Sequence, residues 1–110
     1  MSKKLLFTTL FLISILSPSF AASIASQKGY AASILGGHLC YLRKGRITKQ
    51  NFILNVENLM LKQGYDIDYL YNDKVRKAGK LVANKLGNNC DDESIFQDES
   101  FVYELWRIME

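Results

Sequence analysis

The chain has 110 residues, and its 14 lysines and arginines exceed its 11 aspartates and glutamates, for a formal charge of +3 at pH 7. A chain of this length forms one small domain at most, and a hydrophobic content of 48% argues against a disordered protein. Two cysteines and one histidine are too few for a metal-rich or disulfide-dense scaffold. The composition therefore indicates one small globular domain, and the net charge favours an acidic partner only weakly.

The first residues have the composition of a secretory signal peptide. Two lysines precede an apolar run over residues 5–16, and Ser19 and Ala21 place small side chains before a cleavage point. The run is too short to span a bilayer, which takes about 20 apolar residues, and an uncleaved membrane anchor stays open as the alternative. We therefore expect residues 1–21 to be a cleaved signal peptide, and residues 22–110 to be a single helical domain, periplasmic or secreted.

Cys40 and Cys90 are the two cysteines, and both lie in the part of the chain expected to be exported. An even number of cysteines in an exported chain predicts one disulfide, with two buried free thiols as the alternative. Because the bond would close a loop of about 50 residues, the chain-entropy model gives it about 4 kcal/mol of stabilisation. Redox catalysis is not indicated, since it needs a close pair of cysteines with a lowered pKa.

Apolar residues recur every three or four positions in several segments, and this spacing predicts helices. The first helix is expected over residues 23–43. Four small residues of this segment form a stripe that would let a neighbouring backbone come close: Ala25, Gly29, Ser33 and Gly37. Gly36 and Gly37 each weaken a helix interior by about 1 kcal/mol, so a kink or a break at this pair is left open.

Capping residues and glycines delimit the next two helices. Thr48 is the expected N-cap of the second helix, and Gly64 suits the position after its C-terminus. Asp66 or Asp68 is expected to cap a third helix, whose apolar stripe continues to Leu86 at helical spacing.

The fourth helix is expected to begin within residues 91–100 and to carry Trp106. No segment alternates in the manner of a β-strand, and no hairpin turn is evident. The sequence therefore predicts an all-α fold, a small bundle of about four helices with one disulfide, following a cleaved signal peptide.

Charge is strongly segregated along the chain. Residues 23–90 carry 11 basic and 4 acidic side chains, whereas residues 91–110 carry 1 basic and 7 acidic side chains. The candidate basic surface consists of Arg43, Lys44, Arg46, Lys49, Lys74, Arg76, Lys77 and Lys80. The candidate acidic switch consists of Asp91, Asp92, Glu93, Asp98, Glu99 and Glu104.

Three interpretations of this polarity are open. In the first, the acidic last helix packs beside the basic helices and their fields cancel, with each exposed pair contributing about 0–1 kcal/mol. In the second, the basic residues bind phosphates or anionic lipid. In the third, acid neutralises the carboxylates of the last helix and leaves the basic body repelling itself.

The sequence has no nucleophile elbow, phosphate loop or dinucleotide fingerprint. His38 is the only imidazole, and we expect it to be a core or surface residue. Asp66, Asp68 and Asp73 lack the glycine and the distal glutamate of a calcium-binding loop, so capping is their expected role. We therefore expect no catalytic residue, no metal and no cofactor, while the tyrosines of residues 65–71 could form an aromatic contact surface.

Two cysteines about 50 residues apart, followed by a terminal helix that bears a tryptophan, give a resemblance to a known family. Cys40, Cys90 and Trp106 resemble in this arrangement the small periplasmic acid-stress chaperones of the HdeA type, over about residues 40–110. The resemblance implies an all-helical fold and an opening in acid that exposes apolar faces to unfolded client proteins.

The leading hypothesis is an exported, non-enzymatic helical protein that acts through protein contact or as a structural or stress factor. The alternatives are an acid-activated periplasmic chaperone, an unrecognised enzyme that uses His38, and a binder of anionic surfaces. The expected partner is another protein or a second copy of the chain, with a membrane surface as the less favoured partner. Nucleic acid is not an expected partner.

Overall fold

The computed structural model describes residues 23–110, so the predicted signal peptide lies outside the described residues. Within them the chain forms four α-helices, two short 3₁₀ helices and no strand. The α-helices are α1 (Ile24–Arg43), α2 (Lys49–Lys62), α3 (Asp73–Leu86) and α4 (Glu99–Met109). The 3₁₀ helices are Ile67–Tyr71 and Glu93–Gln97. The predicted all-α fold of about four helices is confirmed.

Local capping sets the bounds of α1 and α2. Ser23 accepts a hydrogen bond from the backbone N–H of Ser26 at 3.0 Å, and α1 begins at the next residue. Thr48 accepts a hydrogen bond from the backbone N–H of Asn51 at 3.1 Å, which confirms the predicted start of α2. Gly64 follows α2 with a φ angle of 75°, in the left-handed region where a side chain would be strained.

The predicted start of the third helix is wrong, because the segment divides into the first 3₁₀ helix and α3. Asp66 does act as a cap, but it caps the 3₁₀ helix by accepting from the backbone N–H of Asp68 at 2.9 Å. The division falls at Asn72, which has an extended backbone. Its side chain accepts from the first N–H groups of α3 and so competes with a continuous helix.

Helix α1 continues without interruption through Gly36 and Gly37, so the break left open by the sequence does not occur. Gly36 faces α3, where an added Cβ atom would lie 2.3 Å from the Cγ1 atom of Val82. From the side of α3, a Cβ atom added to Gly79 would lie 3.0 Å from the Cβ atom of Leu35 on α1. The two helices can approach this closely only because both positions lack a side chain.

The predicted stripe of small residues is not the face of closest approach. A Cβ atom added to Gly37 would meet no atom of the described residues within 4 Å, whereas Gly29 lies against the ring of Trp106. The close approach instead involves Ala32 and Gly36, each one position before a member of the stripe. The buried residues of α1 are Ala31, Ala32, Leu35, Gly36 and Cys40, so this neighbouring face is the one turned toward the core.

A buried disulfide joins Cys40, near the end of α1, to Cys90, which follows α3. Their Cα atoms lie 5.6 Å apart, within the range that a disulfide requires. The predicted disulfide is confirmed, and α4 lies outside the loop that it closes, as expected. The core beneath it is centred on Met60, Val75 and Val82, which are fully buried.

Two lysines hold the end of α4 against the basic helices. The Nζ atom of Lys28 on α1 donates to the main-chain oxygen of Met109 at 3.4 Å. The Nζ atom of Lys74 on α3 donates to the main-chain oxygen of Glu110 at 2.9 Å. Both cations thereby lie at the helix C-terminus, where the unpaired carbonyl groups and the helix dipole favour positive charge.

Candidate functional site

An apolar cavity of about 350 Å³ opens between α1, α2, α3 and the first 3₁₀ helix. Its apolar lining includes Leu39, Leu42, Phe52, Ile53, Val56 and Leu70. Val56 and Leu70 are buried, whereas Ile53 is 40% exposed, so the cavity leads from the core to the surface. Its volume is at the lower end of the range for small-molecule sites, about 300–1,000 Å³.

The apolar residues of α2 explain why this cavity is open. The helix buries only Val56 and Met60, and it leaves Ile53, Leu54 and Leu61 between 40% and 61% exposed. Single exposed apolar residues are ordinary on a protein surface, and of these three it is Ile53 that lines the cavity. Helix α2 therefore supplies a wall of the cavity that the rest of the domain does not cover.

Three cations stand at the cavity. Lys49 is the first residue of α2, while Arg76 and Lys80 lie one turn apart on α3, and all three side chains are exposed. No acidic residue is among the described residues that line the cavity. The site thus combines an apolar interior with a positively charged mouth, an arrangement suited to a ligand with an apolar body and an anionic end.

Tyr71 lies at the same mouth and is 52% exposed. Its hydroxyl group donates a hydrogen bond to the carboxylate of Glu57 on α2. This hydrogen bond, with smaller contributions from desolvation and from the negative charge of Glu57, raises the pKa of Tyr71 above its usual value. The bond joins the end of the 3₁₀ helix to α2 and engages the carboxylate of Glu57.

The remaining predicted basic residues lie away from the cavity. Arg43 donates a hydrogen bond to Asn84 at 2.6 Å, and Lys44 donates one to Asn88 at 3.2 Å. Both side chains therefore contact the C-terminal end of α3 or the loop that follows it. The guanidinium carbon of Arg46 lies 5.8 Å from the centre of the Tyr41 ring. Lys74 holds the end of α4, and Lys77 is exposed on α3 without lining the cavity. The structure therefore divides the predicted surface and brings three of its members together.

Several of the predicted switch carboxylates are hydrogen-bond acceptors in the last segment. Asp98 caps α4 by accepting from the backbone N–H groups of Ser100 and Phe101, and it forms an ion pair with Lys85 at 3.7 Å. Asp91 accepts a hydrogen bond from the hydroxyl group of Tyr41. That hydrogen bond is the main reason why the pKa of Tyr41 is raised, with smaller contributions from desolvation and from the negative charge of Asp91.

Asp92 caps the second 3₁₀ helix by accepting from the backbone N–H of Ser94 at 3.1 Å and from its hydroxyl group at 2.5 Å. These two hydrogen bonds lower the pKa of Asp92, and the bond from the Ser94 hydroxyl group has the larger effect. Glu93 and Glu99 are the first residues of the second 3₁₀ helix and of α4, where the helix dipole favours negative charge. Glu104 is exposed on α4.

A second groove of about 460 Å³ lies between α1 and α4. Tyr30, Tyr65, Phe96 and Trp106 are among the residues that line it. The rings of Tyr30 and Tyr65 meet edge to face with their centres 5.3 Å apart. The aromatic contact surface predicted at residues 65–71 is therefore divided, since Tyr65 lies at this groove and Tyr71 at the cavity.

His38 has no catalytic arrangement around it in the part of the chain that is described. Its Nδ1 atom donates to the carbonyl oxygen of Ile34 at 2.9 Å, and its ring lies 6.1 Å from that of Tyr41. Residues 23–110 contain no group of three or more histidine, cysteine, aspartate or glutamate side chains that could hold a metal ion.

Sequence reasoning identified the cations of the site but missed the cavity. Lys49, Arg76 and Lys80 stood out by charge, whereas Leu39 and Ile53 were not singled out by the spacing of apolar residues. One signal was available, since Phe52, Ile53 and Leu54 are consecutive and cannot all lie on one buried face of a helix. That run indicates an apolar surface that extends beyond the core.

Comparison with models of protein families, with curated proteins and with solved structures finds no match to this chain. Among the helices of residues 23–110, none is long and apolar enough to cross a membrane.

Proposed function

We propose that this protein is exported and acts without catalysis, by binding another molecule in the apolar cavity between α1, α2 and α3. The observation that carries the proposal is the cavity itself, which is open to solvent, lined by apolar side chains and bordered by three cations. Export is supported by the signal-like residues 1–21 and by the buried disulfide, because disulfides persist in oxidising compartments.

Binding in this cavity rests on simple physical chemistry. A ligand that fills it removes the apolar surface of Ile53, Leu39 and Phe52 from water, and the hydrophobic effect then favours the complex. Two of the helices that form the walls, α1 and α3, are held together by the disulfide and by the close contact of Gly36 with α3. Little reorganisation is therefore needed when a ligand enters, and a preformed site gains affinity from that.

A neutral apolar dye whose fluorescence rises in a dry environment tests the proposal. We expect the protein to bind Nile red, and we expect Ile53→Asp to weaken this binding at least tenfold because it places a charge in the cavity wall. Leu54→Asp is the matched control, since Leu54 is the next residue, is 50% exposed and does not line the cavity. Equal binding by the two variants would refute the proposed site.

A second candidate function, the acid-activated chaperone, is supported by a different observation. Two carboxylates join the last segment to the rest of the domain, Asp91 by accepting from Tyr41 and Asp98 by its ion pair with Lys85, and Asp92 and Asp98 also cap helices within the segment. Protonation removes the acceptor charge from each of them. Release of α4 in acid would expose its buried residues Phe101, Leu105 and Met109.

Circular dichroism and apolar-dye binding between neutral pH and about pH 2 separate the two functions. The chaperone function predicts that acid exposes apolar surface, so that dye binding rises well above its neutral value and an unfolded client stays soluble. A protein that keeps its helical signal and its neutral dye binding in acid would refute the chaperone function. That outcome would leave the cavity-binding function intact.

A further inference from the structure

We propose that the occupant of the cavity is a single-chain amphiphile with an anionic head group, whose apolar chain enters the cavity while its head group meets Lys49, Arg76 and Lys80. The inference rests on the proposed function, and it names the class of ligand that the same site selects. It depends on three features of the cavity, which are its apolar lining, its volume and the sign of the charge at its mouth.

The interior suits a hydrocarbon chain. Its described lining is apolar apart from the three cations and the Tyr71 hydroxyl group, and that hydroxyl is already bonded to Glu57. A polar ligand body would lose its hydrogen bonds to water in this interior without replacing them, which costs free energy. A hydrocarbon chain loses nothing and gains from the removal of its surface from water.

The volume of the cavity favours one slender chain. An α-helix with its side chains is about 10–12 Å across, so a space of about 350 Å³ can take side chains of a helical partner but not the whole helix. A single extended chain can instead reach past the exposed Ile53 to the buried Val56 and Leu70.

The mouth selects the head group by charge. Lys49 on one wall faces the cavity with Arg76 and Lys80 on another, so an anion between them meets positive charge from two helices. Within residues 23–110 the side chains of these three residues form no ion pair and no hydrogen bond with the rest of the protein. They are therefore available to a carboxylate, whereas a cationic head group would be repelled.

The test measures the affinity of a series of straight-chain carboxylates and of the uncharged alcohols of the same length, by displacement of Nile red. Each added methylene group should tighten binding about fourfold in both series, since burying one is worth about 0.8 kcal/mol. The gain should stop at the length that fills the cavity. At every length the carboxylate should bind more tightly than the alcohol.

Two variants assign the difference to the mouth. The double variant Arg76→Gln/Lys80→Gln should weaken the carboxylates at least fivefold and leave the alcohols unchanged, because it removes charge but not apolar surface. Lys77→Gln is the matched control on the same helix, and it should change neither series. A salt titration should reproduce the effect, since added salt screens exposed charges and weakens only the carboxylates.

The outcomes distinguish this inference from the function on which it rests. Carboxylates and alcohols of equal affinity, with both series sensitive to Ile53→Asp, would overturn the anionic head group and leave cavity binding standing. Binding that does not respond to Ile53→Asp would overturn both. Binding to anionic vesicles or to another protein that depends on Arg76 and Lys80, but not on chain length or Ile53, would also overturn the inference.

Discussion

Around the cavity, Lys49, Arg76 and Lys80 make no ion pair or hydrogen bond within residues 23–110, whereas three carboxylates of the last segment, Asp91, Asp92 and Asp98, accept hydrogen bonds from their own chain. Asp92 and Asp98 cap helices, and other acids of residues 91–110 occupy helix starts or accept from tyrosine. Some cations also stabilise the fold, as Lys28 and Lys74 do at the end of α4, but the three cations at the cavity have no such role. This division leaves those three cations available for the ligand that we propose.

The division also bears on the first interpretation of the charge pattern. Helix α4 does lie beside α3, but one ion pair, between Lys85 and Asp98, connects opposite charges within the described residues. The side chain of Lys85 is shared, since its Nζ atom also lies 5.4 Å from the centre of the Phe101 ring. The last helix thus covers one end of the basic region and does not neutralise the cations at the cavity.

The largest expected effect comes from removal of the disulfide. The bond joins α1 to Cys90, which lies at the boundary between the basic residues 23–90 and the acidic residues 91–110. Replacing Cys40 and Cys90 by serine should lower the free energy of unfolding by about 4 kcal/mol, a large part of the stability of a small domain. Urea unfolding measures the change, and reduction of the unaltered protein should reproduce it. Equal stability of oxidised and reduced protein would contradict the stabilising role.

The contact of α1 with α3, which forms one side of the cavity region, is the next most sensitive feature. Gly36→Ala should lower the free energy of unfolding by about 1–3 kcal/mol, because its Cβ atom would overlap Val82. Gly37→Ala is the adjacent control and should raise stability by up to about 1 kcal/mol, since alanine favours a helix and nothing stands in its way. Thermal unfolding of the two variants should move in opposite directions, and a shift in the same direction would refute the packing described here.

A smaller effect is expected in the acidic region when a cap is removed. Asp98→Ala should cost about 1 kcal/mol, because the first N–H groups of α4 lose their acceptor and Lys85 loses its partner. Glu104→Ala, on the exposed face of the same helix, should cost less than half as much. Faster hydrogen exchange confined to α4 in the first variant would support the capping role, and equal exchange in both variants would refute it.

The smallest expected effect is on pH dependence. The bonds from Ser94 hold the pKa of Asp92 below its usual value near 3.8, so the folded state binds this proton less readily than the unfolded state. The stabilisation is therefore complete above the unfolded pKa and is lost as the pH falls through the folded value. Asp92→Asn should reduce the fall in unfolding free energy between about pH 5 and about pH 2, and an unchanged slope would contradict the bond.

Helix periods, caps and the cysteine pair were enough to predict the fold class, the start of α2 at Thr48 and the disulfide. The helix start at Asn72 was not predicted, because the apolar residues keep their helical spacing on both sides of it. That spacing does not show that the Asn72 side chain caps a new helix. The predicted face of α1 was displaced by one residue, since Gly36 and Gly37 are the same residue type in sequence and only packing separates them.

The candidate site was predictable in its charges and unpredictable in its shape. Arg76 and Lys80 were identified as basic, but their partner Lys49 lies on another helix, and only the folded chain places the three at one opening. The cavity between them depends on how far α2 stands from α3, a distance that composition and spacing do not encode. The shape of the cavity therefore depends on how the helices pack together, which local sequence patterns do not specify.

The most direct test of the cavity as an anionic-amphiphile site is an amide NMR spectrum of the protein titrated with decanoate. We predict that the largest shifts fall on residues of the cavity, with Ile53, Lys49 and Lys80 among them, and that decanol shifts the interior residues but not the two lysines. Shifts centred instead on Tyr30 and Trp106 in the second groove, or no shifts at all, would contradict the account.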